Sequence, residues 1–195
     1  MSFTDRVQIH VQAGRGGHGC LSFRREAHSP KGGPDGGNGG RGADVLLVAD
    51  EQLTDLTPFR TRVHHKAPAG GDGEGRNRHG RSGDPLEIHV PPGTRVIRDG
   101  HELAMLMVPG ESVSVARGGT GGVGNRAFRS STHRAPRVTV PGEDGEEAWI
   151  DLEMRLPVAV ALIGLPNSGK TALLNALTGA HATVAPYPHT TNEPA

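Results

Sequence analysis

The sequence predicts two unlike folds in one chain: an all-β, glycine-rich domain at 1–157, followed by the beginning of an α/β domain at 158–195. Of the 30 glycines, 27 lie before residue 158 and three lie after it. Short runs in which apolar and polar residues alternate recur through the first part, and this is the pattern of half-buried strands. After the boundary, a continuous apolar run precedes leucines at helical spacing, an order typical of the strand and helix of an α/β domain.

Composition and charge narrow the class of protein. Glycine makes up about 15% of the residues, against a usual share of roughly 7%, so ordinary side-chain packing does not suffice to order the first part. Lys plus Arg and Asp plus Glu are equal, at 21 each, and net charge therefore favours neither wholesale nucleic-acid binding nor an acidic tail. Cys20 is the one cysteine, and we expect a small buried residue rather than a reactive thiol. No run of about 18 apolar residues occurs, so we expect no membrane contact. A single cysteine cannot form an internal disulfide, which fits the reducing cytoplasm. We also expect a monomer.

The strands of the first domain are predicted from alternation and from the turns between them. Five runs show the pattern, at 7–11, 86–90, 113–115, 138–140 and 147–156. The dipeptide Asp99-Gly100 lies where a tight hairpin would join a strand at 94–98 to one at 101–107. Further turn dipeptides are Pro92-Gly93, Pro109-Gly110 and Pro141-Gly142.

Four glycine clusters separate these strands, at 14–19, 32–42, 70–83 and 118–124. Within them glycine pairs recur about every three residues, which is the repeat of a polyproline-II helix whose crowded face carries no side chain. We therefore predict polyproline-II-like helices packed on one another. The alternative is a set of flexible glycine loops. The clusters carry Pro, Asp, Asn and Arg but almost no Ser, unlike ordinary flexible linkers.

The second part contains a motif that binds phosphate. The apolar run VAVALI at 158–163 is typical of a strand buried on both faces, and it leads directly into GLPNSGKT at 164–171, a match to GxxxxGK[ST]. Leu173, Leu174 and Leu177 then follow at helical spacing. Backbone amides at the start of such a helix attract anions. Lys170 would reach the β- and γ-phosphates of a nucleotide, and the Thr171 hydroxyl would bind Mg²⁺.

A second nucleotide-contacting segment is predicted about twenty residues later, at Tyr187-Pro-His-Thr-Thr191. P-loop GTPases have a mobile switch at this distance, in which a threonine closes on Mg²⁺ and the γ-phosphate. A Thr-Thr pair alone would equally suit a plain surface loop. The distance from the phosphate loop favours the switch.

Together these segments resemble the Obg family of ribosome-associated GTPases. The likeness rests on six segments in the family's order: Phe23-Arg-Arg-Glu26, residues 31–45 (KGGPDGGNGGRGADV), Val90-Pro-Pro-Gly-Thr94, residues 117–128 (RGGTGGVGNRAF), residues 164–171 and Tyr187-Pro-His-Thr-Thr191. The resemblance implies a glycine-rich Obg domain joined to a Ras-like GTPase domain that binds GTP and GDP with Mg²⁺. It also implies slow GTP hydrolysis and a role in assembly of the large ribosomal subunit and in growth or stress control.

Carried onto this chain, the resemblance assigns the nucleotide and metal contacts. The GTP-binding residues are Gly164, Leu165, Pro166, Asn167, Ser168, Gly169, Lys170, Thr171, His189, Thr190, Thr191, Asn192 and Glu193. The Mg²⁺ ligands are Thr171 and Thr191. His189 and Asn192 stand where the family usually has apolar residues, which puts the packing of the switch in doubt.

The length of the second part is a further departure from the family. Residues 158–195 provide 38 residues, and neither DxxG, which closes on the γ-phosphate, nor NKxD, which reads guanine, follows the phosphate loop. A lone strand and helix leave the apolar strand uncovered, so we expect this segment to fold poorly by itself, as part of a fragment. Two functions stay open: a GTP-binding protein of the Obg type, or a non-enzymatic module that binds ribosome, RNA or protein.

Local charge predicts an RNA contact. Between 112 and 142 there is no Asp or Glu, and the basic residues there are Arg117, Arg126, Arg129, Arg134, Arg137 and His133. Such a stretch could lie along ribosomal RNA phosphates, or it could be a solvated surface balanced by the acidic residues at 143–147. A second basic cluster comprises Arg60, Arg62, His64, His65, Lys66 and the arginines at 76–81. The eleven histidines are scattered without the spacing of metal ligands, so we predict no histidine metal site.

Overall fold

A computed structural model describes residues 4–24, 32–155, 162–165 and 167–179. Thr4–Arg155 form one compact unit, and the described residues after 155 belong to a second. Across these described ranges, every helix is too short or too polar to cross a bilayer.

The regular secondary structure of the first unit is mostly strand, as the sequence predicts. In chain order its elements are β1 (Arg6–Gln12), β2 (Val45–Ala49), α1 (Pro58–Thr61), β3 (His64–Lys66), β4 (Leu86–Val90), β5 (Thr94–Arg98), β6 (His101–Leu106), β7 (Ser112–Ala116), a 3₁₀ helix at Asn125–Phe128 and β8 (Glu147–Met154). They form a five-stranded sheet in the order β3-β1-β8-β5-β6 and a three-stranded sheet in the order β4-β2-β7. Strand β1 pairs in parallel with β3 and antiparallel with β8.

The apolar core lies on one face of each sheet. Ile9 of β1, Ile150 of β8 and Val96 of β5 are fully buried on one face of the larger sheet, and Val45 and Leu47 of β2 are fully buried on the smaller one. Strand β7 of the smaller sheet contacts β1, β6 and β8 of the larger one. Each such side chain contributes about 1.5–3 kcal/mol by its removal from water, so alternate residues of these short strands supply the hydrophobic stabilisation.

Most of the predicted strands are confirmed. The runs at 7–11, 86–90, 113–115 and 147–156 correspond to β1, β4, β7 and β8, and the predicted hairpin is β5 and β6. Its turn residues have left-handed backbone angles, with φ of 52° at Asp99 and 77° at Gly100, as the tightest hairpins require. The sequence analysis overlooked β2, because its apolar run VLLVA shows no alternation of polar residues.

The strand predicted at 138–140 is wrong. These residues lie in no strand, and Val138 and Val140 are exposed. The Val140 amide donates to Val123 O at 2.9 Å, and Val140 O accepts from the Gly19 amide at 3.3 Å. This part of the chain therefore pairs with glycine-rich segments and not with a sheet, and the Pro141-Gly142 dipeptide within it forms no turn.

The glycine-rich segments bond to one another in what we call the glycine bundle, defined as residues 13–20, 35–43, 67–74, 77–83, 117–125 and 140–146. Apart from the first residue of the 3₁₀ helix, these segments contain no helix or strand. Their backbone hydrogen bonds nevertheless recur every three residues. The amides of Gly14, Gly17 and Cys20 donate to the carbonyl oxygens of Ala43, Gly40 and Gly37, at 2.8, 2.9 and 3.0 Å.

Segment 13–20 lies between four others and bonds to each of them. The amides of residues 13, 16 and 19 donate to the carbonyl oxygens of 146, 143 and 140. The carbonyl oxygens of 14, 17 and 20 accept from the amides of 119, 122 and 125, while those of 15 and 18 accept from 70 and 73. Successive residues thus point to different neighbours, and the clusters bond to one another instead of forming independent loops.

Close approach of backbones explains why the bundle needs glycine. A Cβ added to Gly16 would lie 1.9 Å from Thr120 O, and one added to Gly17 would lie 1.9 Å from Gly71 O. Real Cβ atoms do not come so near an oxygen. Among the described glycines, those with positive φ are Gly93, Gly100, Gly110, Gly169 and Gly179, all outside the bundle. The bundle therefore uses glycine for its lack of a side chain and not for its backbone freedom.

His65 on β3 makes the stability of the first unit sensitive to pH. The side chain is buried against Phe59, with ring centroids 5.9 Å apart, and its Nε2 lies 3.1 Å from Arg62 O. Burial lowers the pKa of His65 below its usual value, and the hydrogen bond to Arg62 O opposes this only in part. The folded state therefore favours the neutral ring.

We expect the free energy of unfolding to fall on acidification, because the unfolded chain takes up a proton near pH 6.5 that the folded state resists. His65 contributes fully above that pH, and its contribution is lost as the pH falls toward the lowered pKa of the folded state. The His65→Gln variant should show a smaller loss between about pH 7.5 and 5.5 in urea unfolding. Identical pH dependence in the variant and the parent would contradict this role.

Candidate functional site

The predicted phosphate loop leads into α2 (Lys170–Thr178) in the second unit. Two left-handed residues shape the turn before this helix, Asn167 with φ of 61° and Gly169 with φ of 83°. The Ser168 amide donates to Leu165 O at 3.3 Å and closes the turn. Gly179, with φ of 68°, ends the helix by donating its amide to Asn175 O at 3.0 Å. Left-handed glycines therefore lie at both ends of α2, Gly169 of the motif before the helix and Gly179 after it.

Lys170 already lies over this loop. Its Nζ donates to Gly164 O at 2.9 Å and to Leu165 O at 2.6 Å, so the ammonium group caps the turn that precedes its own helix. The Leu173 amide donates to Gly169 O at 2.9 Å across the first turn of the helix. The dipole at a helix N-terminus favours negative charge. A cation and a helix N-terminus thus meet at one loop, as phosphate binding requires.

The apolar side chains of this second unit have little cover. Ile163 is 94% exposed and Leu177 is 70% exposed, and no described side chain of α2 is buried. Leu162 and Ile163 belong to the predicted strand at 158–163 but lie in no strand, so the prediction is wrong for these two residues; the rest of that run lies outside the described residues. Among the described residues of this unit, the exposure of Ile163 and Leu177 agrees with this result, because a strand of this kind is stable only between covering layers.

The structure describes only part of the predicted nucleotide and metal site. Gly164, Leu165 and residues 167–171 lie in the loop and at the start of α2. Pro166 and the switch residues His189, Thr190, Thr191, Asn192 and Glu193 lie outside the described residues. A Mg²⁺ ion prefers oxygen ligands next to phosphate, and the Thr171 hydroxyl, one residue after Lys170 in the first turn of α2, is the described group that fits.

A second candidate site lies at one end of the glycine bundle, where three loops meet at Asn125. This side chain is fully buried. Its Oδ1 accepts from the Gly36 amide at 3.0 Å, and its Nδ2 donates to Ser22 O at 2.9 Å and to Pro136 O at 3.3 Å. One amide group therefore ties together the chain around 22, 36 and 136. We call the described residues 21–24, 32–36, 75–79 and 125–137 the loop end.

Asp35 fixes the turn at 75–79 to the same place. Its Oδ2 accepts from the Arg76 amide at 3.1 Å, and its backbone oxygen accepts from the Asn77 amide at 2.7 Å. Arg76 and Asn77 both have φ of 59°, in the left-handed region, which is costly for residues other than glycine. The carboxylate is buried, and its Oδ1 has no hydrogen-bond partner within the described part of the chain.

The loop end gathers most of the arginines that the sequence predicts as RNA contacts. Arg126, Arg129, Arg134 and Arg137 are exposed there, and the Arg129 guanidinium lies beside Gly33. Arg76 and Arg78, from the second basic cluster, lie on the adjacent turn. The sequence analysis missed this convergence because nothing in the local pattern shows that the loops at 76 and 126 meet.

Arg117 lies elsewhere, at the opposite end of segment 117–125. Its amide donates to Glu146 Oε2 at 3.2 Å, and the next amide, of Gly118, donates to Asp44 Oδ1 at 2.7 Å. The hydrogen bond from the Arg117 amide, assisted by Arg98, lowers the pKa of Glu146 below its usual value. Local carboxylates therefore balance the charge at this end. Of the rest of the second cluster, Arg60 lies on α1, Arg62 lies between α1 and β3, and His64, His65 and Lys66 form β3.

Cys20 is part of the bundle and not of a reactive site. Its amide donates to Gly37 O at 3.0 Å, and its oxygen accepts from the Asn125 amide at 3.1 Å. Burial, together with the charges of Asp35 and Glu74, raises the pKa of the thiol above its usual value, and a protonated thiol is a weak nucleophile. In the described part of the chain, no three His, Cys, Asp or Glu residues are grouped as metal ligands.

Comparison with protein families divides the chain at the same region as the composition does. A sequence model of the family described as GTP1/OBG matches residues 4–156. A second model, described as 50S ribosome-binding GTPase, matches residues 159–195. The first match covers the glycine bundle and both sheets, and the second covers the phosphate loop and α2.

Curated relatives match over the whole length of this chain. It is 50% identical over 196 residues to GTPase Obg of Syntrophotalea carbinolica, an alignment that covers 100% of this chain and 55% of the relative. It is 49% identical to GTPase Obg of Persephonella marina, covering 100% of this chain and 58% of the relative. It is 48% identical to GTPase Obg of Desulforudis audaxviator, in an alignment that covers 98% of this chain and 46% of the relative. The chain thus spans about half the length of the relatives that it matches.

Proposed function

This chain belongs to the GTP1/OBG family, and from this premise we propose that it is a GTP-binding protein of the Obg type that acts on the large ribosomal subunit. Its second unit holds the phosphates of GTP or GDP together with Mg²⁺, and the loop end of its first unit contacts ribosomal RNA. The observation that supports nucleotide binding most directly is the position of Lys170 Nζ over the turn at the N-terminus of α2.

Hydrolysis of GTP and selection of guanine need further residues. The chain has no DxxG or NKxD after its phosphate loop, so its phosphate loop does not supply these two steps by itself. Thr171, and Thr191 in the predicted switch, would hold Mg²⁺, which neutralises phosphate charge when it is bound. In this scheme the phosphate loop of this chain binds and orients the nucleotide for ribosome biogenesis.

We also propose that the segments of the glycine bundle are polyproline-II helices. Their hydrogen bonds recur every three residues, which is the repeat of that helix, and none of their glycines has a left-handed φ. A boundary between 157 and 158 is supported by family matches that end at 156 and restart at 159. A cytoplasmic monomer suits a protein that works on ribosomes.

The phosphate contact predicts the behaviour of the Lys170→Ala variant. Calorimetric titration of the 195-residue chain with GTP and Mg²⁺ should give a Kd weaker than about 1 μM, because the chain has no guanine-reading motif. ATP should bind about as well as GTP. In Lys170→Ala, the affinities for GTP and for ATP should both fall by roughly tenfold or more, since hydrogen bonds to charged groups are among the stronger ones.

Thr178→Ala is the matched control for this experiment, because Thr178 lies at the opposite end of α2 from the phosphate loop, where its hydroxyl donates to Leu174 O at 2.8 Å. It should bind like the parent chain. Sub-micromolar binding of GTP by the parent would contradict the view that guanine selection lies elsewhere. Equal binding by the Lys170→Ala variant would remove the phosphate loop from the proposal and favour a non-enzymatic binding module.

The loop end is the proposed RNA contact because it combines exposed cations with a fixed backbone. Asn125 and Asp35 hold the loops by hydrogen bonds to backbone groups, so the arginines project from an ordered base. Cations held in this way gain affinity for phosphates mainly by releasing counterions, and the affinity falls steeply with salt.

Replacement of Arg126, Arg129 and Arg134 by alanine should weaken cosedimentation of the chain with large ribosomal subunits. Each lost phosphate contact should also reduce the slope of log affinity against log salt by about 0.7–0.9. The control carries Arg6→Ala, Arg41→Ala and Arg95→Ala, which remove the same charge from ion-paired sites outside both basic clusters. Equal losses in the two triple variants would mean that net charge alone drives binding. Arg117→Ala tests the opposite end of segment 117–125 separately.

A further inference from the structure

Three aromatic residues occupy one row of cross-strand positions on the outer face of the five-stranded sheet, and their rings form a triangular cluster. His64 of β3 and Trp149 of β8 are the cross-strand neighbours of His10 on β1. The ring centroid of His10 lies 5.2 Å from that of His64 and 4.8 Å from that of Trp149. The His64 and Trp149 rings are 6.0 Å apart. We call these three residues the aromatic row.

The aromatic row faces solvent although its members are large. Trp149 is 48% exposed, while the next residue of the strand, Ile150, is fully buried on the other face of the sheet. His10 fixes the row in place, since its ring is tilted by 59° against Trp149 and its Nε2 lies 2.9 Å from Glu147 Oε1. An exposed tryptophan with a fixed neighbour is a preorganised surface for stacking.

Charge differs on the two sides of the row. On the β3 side, Lys66 is two residues beyond His64, and Arg62 is two residues before it; both are exposed. On the β8 side, Glu147 and Asp151 are two residues from Trp149 in either direction. Alternate residues of a strand share a face, so Lys66 lies beside the row at the sheet edge and the two carboxylates lie beside it on an inner strand, while Arg62 comes just before β3.

We propose that this face is a second RNA contact, a platform on which an unpaired base of single-stranded RNA stacks against Trp149. Lys66, with Arg62 just before β3, would meet the phosphate adjacent to the stacked base. Stacking on an aromatic side chain tolerates any base because every base has a π-face. The inference rests on the proposed association with RNA, but it uses residues outside the loop end.

A nucleotide suits the surface better than a cationic peptide does. A guanidinium or ammonium group would need carboxylates open to ion pairing beside the tryptophan. Glu147 is already within 2.9 Å of His10 Nε2, and Asp151 Oδ1 accepts from Gln8 Nε2 at 2.8 Å. Lys66 and Arg62 would repel such a peptide at the sheet edge and attract a phosphate. Duplex RNA is also unsuitable, because its bases are stacked inside the helix.

Trp149 reports its own contact, since it is the one tryptophan of the chain. The experiment titrates the intact chain with a fluorescently labelled single-stranded 12-nucleotide RNA of mixed sequence. It follows the quenching of Trp149 emission and, in parallel, the anisotropy of the label. We expect Trp149 emission to be quenched, with saturation at the same RNA concentration as the anisotropy.

Two substitutions at this position separate stacking from folding. Trp149→Ala should lower the affinity for the labelled RNA roughly tenfold, while Trp149→Phe, which keeps a stacking ring, should lose much less. Circular dichroism and thermal unfolding check that both variants are folded. If Trp149→Ala is unfolded, the quenching of the parent chain and the affinity of Trp149→Phe decide the matter.

The outcomes separate this inference from the proposed loop-end contact. In the variant with Arg126, Arg129 and Arg134 replaced by alanine, the total affinity should fall, but RNA should still quench Trp149. RNA binding without quenching, an unchanged affinity in Trp149→Ala, or no RNA binding at all would overturn the platform. Quenching by an arginine-rich peptide but not by RNA would overturn it in favour of a cationic partner. If the variant with Arg126, Arg129 and Arg134 replaced loses binding to the large ribosomal subunit, that result supports the loop-end contact and does not test the Trp149 platform.

Discussion

Replacement of Gly39 by alanine should destabilise the first unit by more than about 3 kcal/mol, enough to leave much of the protein unfolded. A Cβ on this residue would lie 2.0 Å from Gly17 O and 2.3 Å from Gly17 C. Both atoms belong to backbone, and Gly17 is itself held by the bond from its amide to Gly40 O at 2.9 Å. No side-chain rotation can relieve the overlap, so segments 13–20 and 35–43 must separate. Urea unfolding followed by Trp149 fluorescence measures the loss.

Gly33→Ala is the matched control, because it is the same substitution in the same glycine cluster. The nearest atom to its added Cβ is Arg129 Nη1 at 3.6 Å, the end of a flexible side chain, and its φ is not left-handed. Its stability should change by no more than about 0.5 kcal/mol. Similar losses in the two variants would show that the bundle adapts to a methyl group, contrary to its close-packed geometry.

Replacement of Asn125 by aspartate should be more harmful than replacement by alanine, although aspartate has nearly the same shape. The Nδ2 group donates to Ser22 O and Pro136 O, and a carboxylate oxygen would face these two carbonyls with like charge. Because the site is fully buried, an unpaired charge there should cost about 3–5 kcal/mol. Alanine leaves polar groups without partners and should cost about 2–3 kcal/mol.

Asn38→Asp serves as the control for the change from amide to carboxylate. Asn38 Oδ1 accepts from the Gly124 amide at 2.9 Å, and a carboxylate retains this role on a side chain that is only half-buried. Its stability should fall much less than that of Asn125→Asp in chemical unfolding. If Asn125→Ala proved the less stable of the two Asn125 variants, the two donor contacts would not be what ties the loops together.

The sequence predicted well the elements whose pattern is local. Alternation at 7–11 and 147–156 is enough to identify strands because one face of each is buried and the other is wet. It failed at 138–140, where Val138 and Val140 alternate around Thr139 but the partners are glycine segments. It also failed at β2, where a continuous apolar run hides the period. The alternation of apolar and polar residues identifies a strand only when the apolar side chains pack against a hydrophobic core.

The glycine clusters were predictable in their repeat but not in their arrangement. The spacing of pairs such as Gly36-Gly37 and Gly39-Gly40 predicted a three-residue period, which the hydrogen bonds follow. Which segments are neighbours is decided by contacts between residues far apart in the chain, such as Gly17 with Gly71. No local pattern contains that information.

The candidate sites show the same limit. The phosphate loop was found from its motif, because glycines, lysine and threonine must follow one another to surround a phosphate. The sequence grouped the predicted RNA-binding arginines only because they lie in one acid-free stretch. In the fold, Arg117 lies apart from Arg126. Arg76, which is distant in sequence, lies at the loop end with Arg126. The buried amide of Asn125, which holds these loops together, gave no signal beyond an asparagine after a glycine cluster.

The three-fold hydrogen bonding of the glycine bundle affects how stability changes with temperature. The bundle buries peptide groups in place of hydrocarbon, and exposure of polar surface lowers the heat capacity of unfolding whereas exposure of apolar surface raises it. A chain with 30 glycines and 3% aromatic residues should therefore unfold with a heat capacity change per residue below the usual value of about 12–15 cal/mol/K. Its stability curve is correspondingly flat, and its marginal folding free energy is spread over a wide span of temperature.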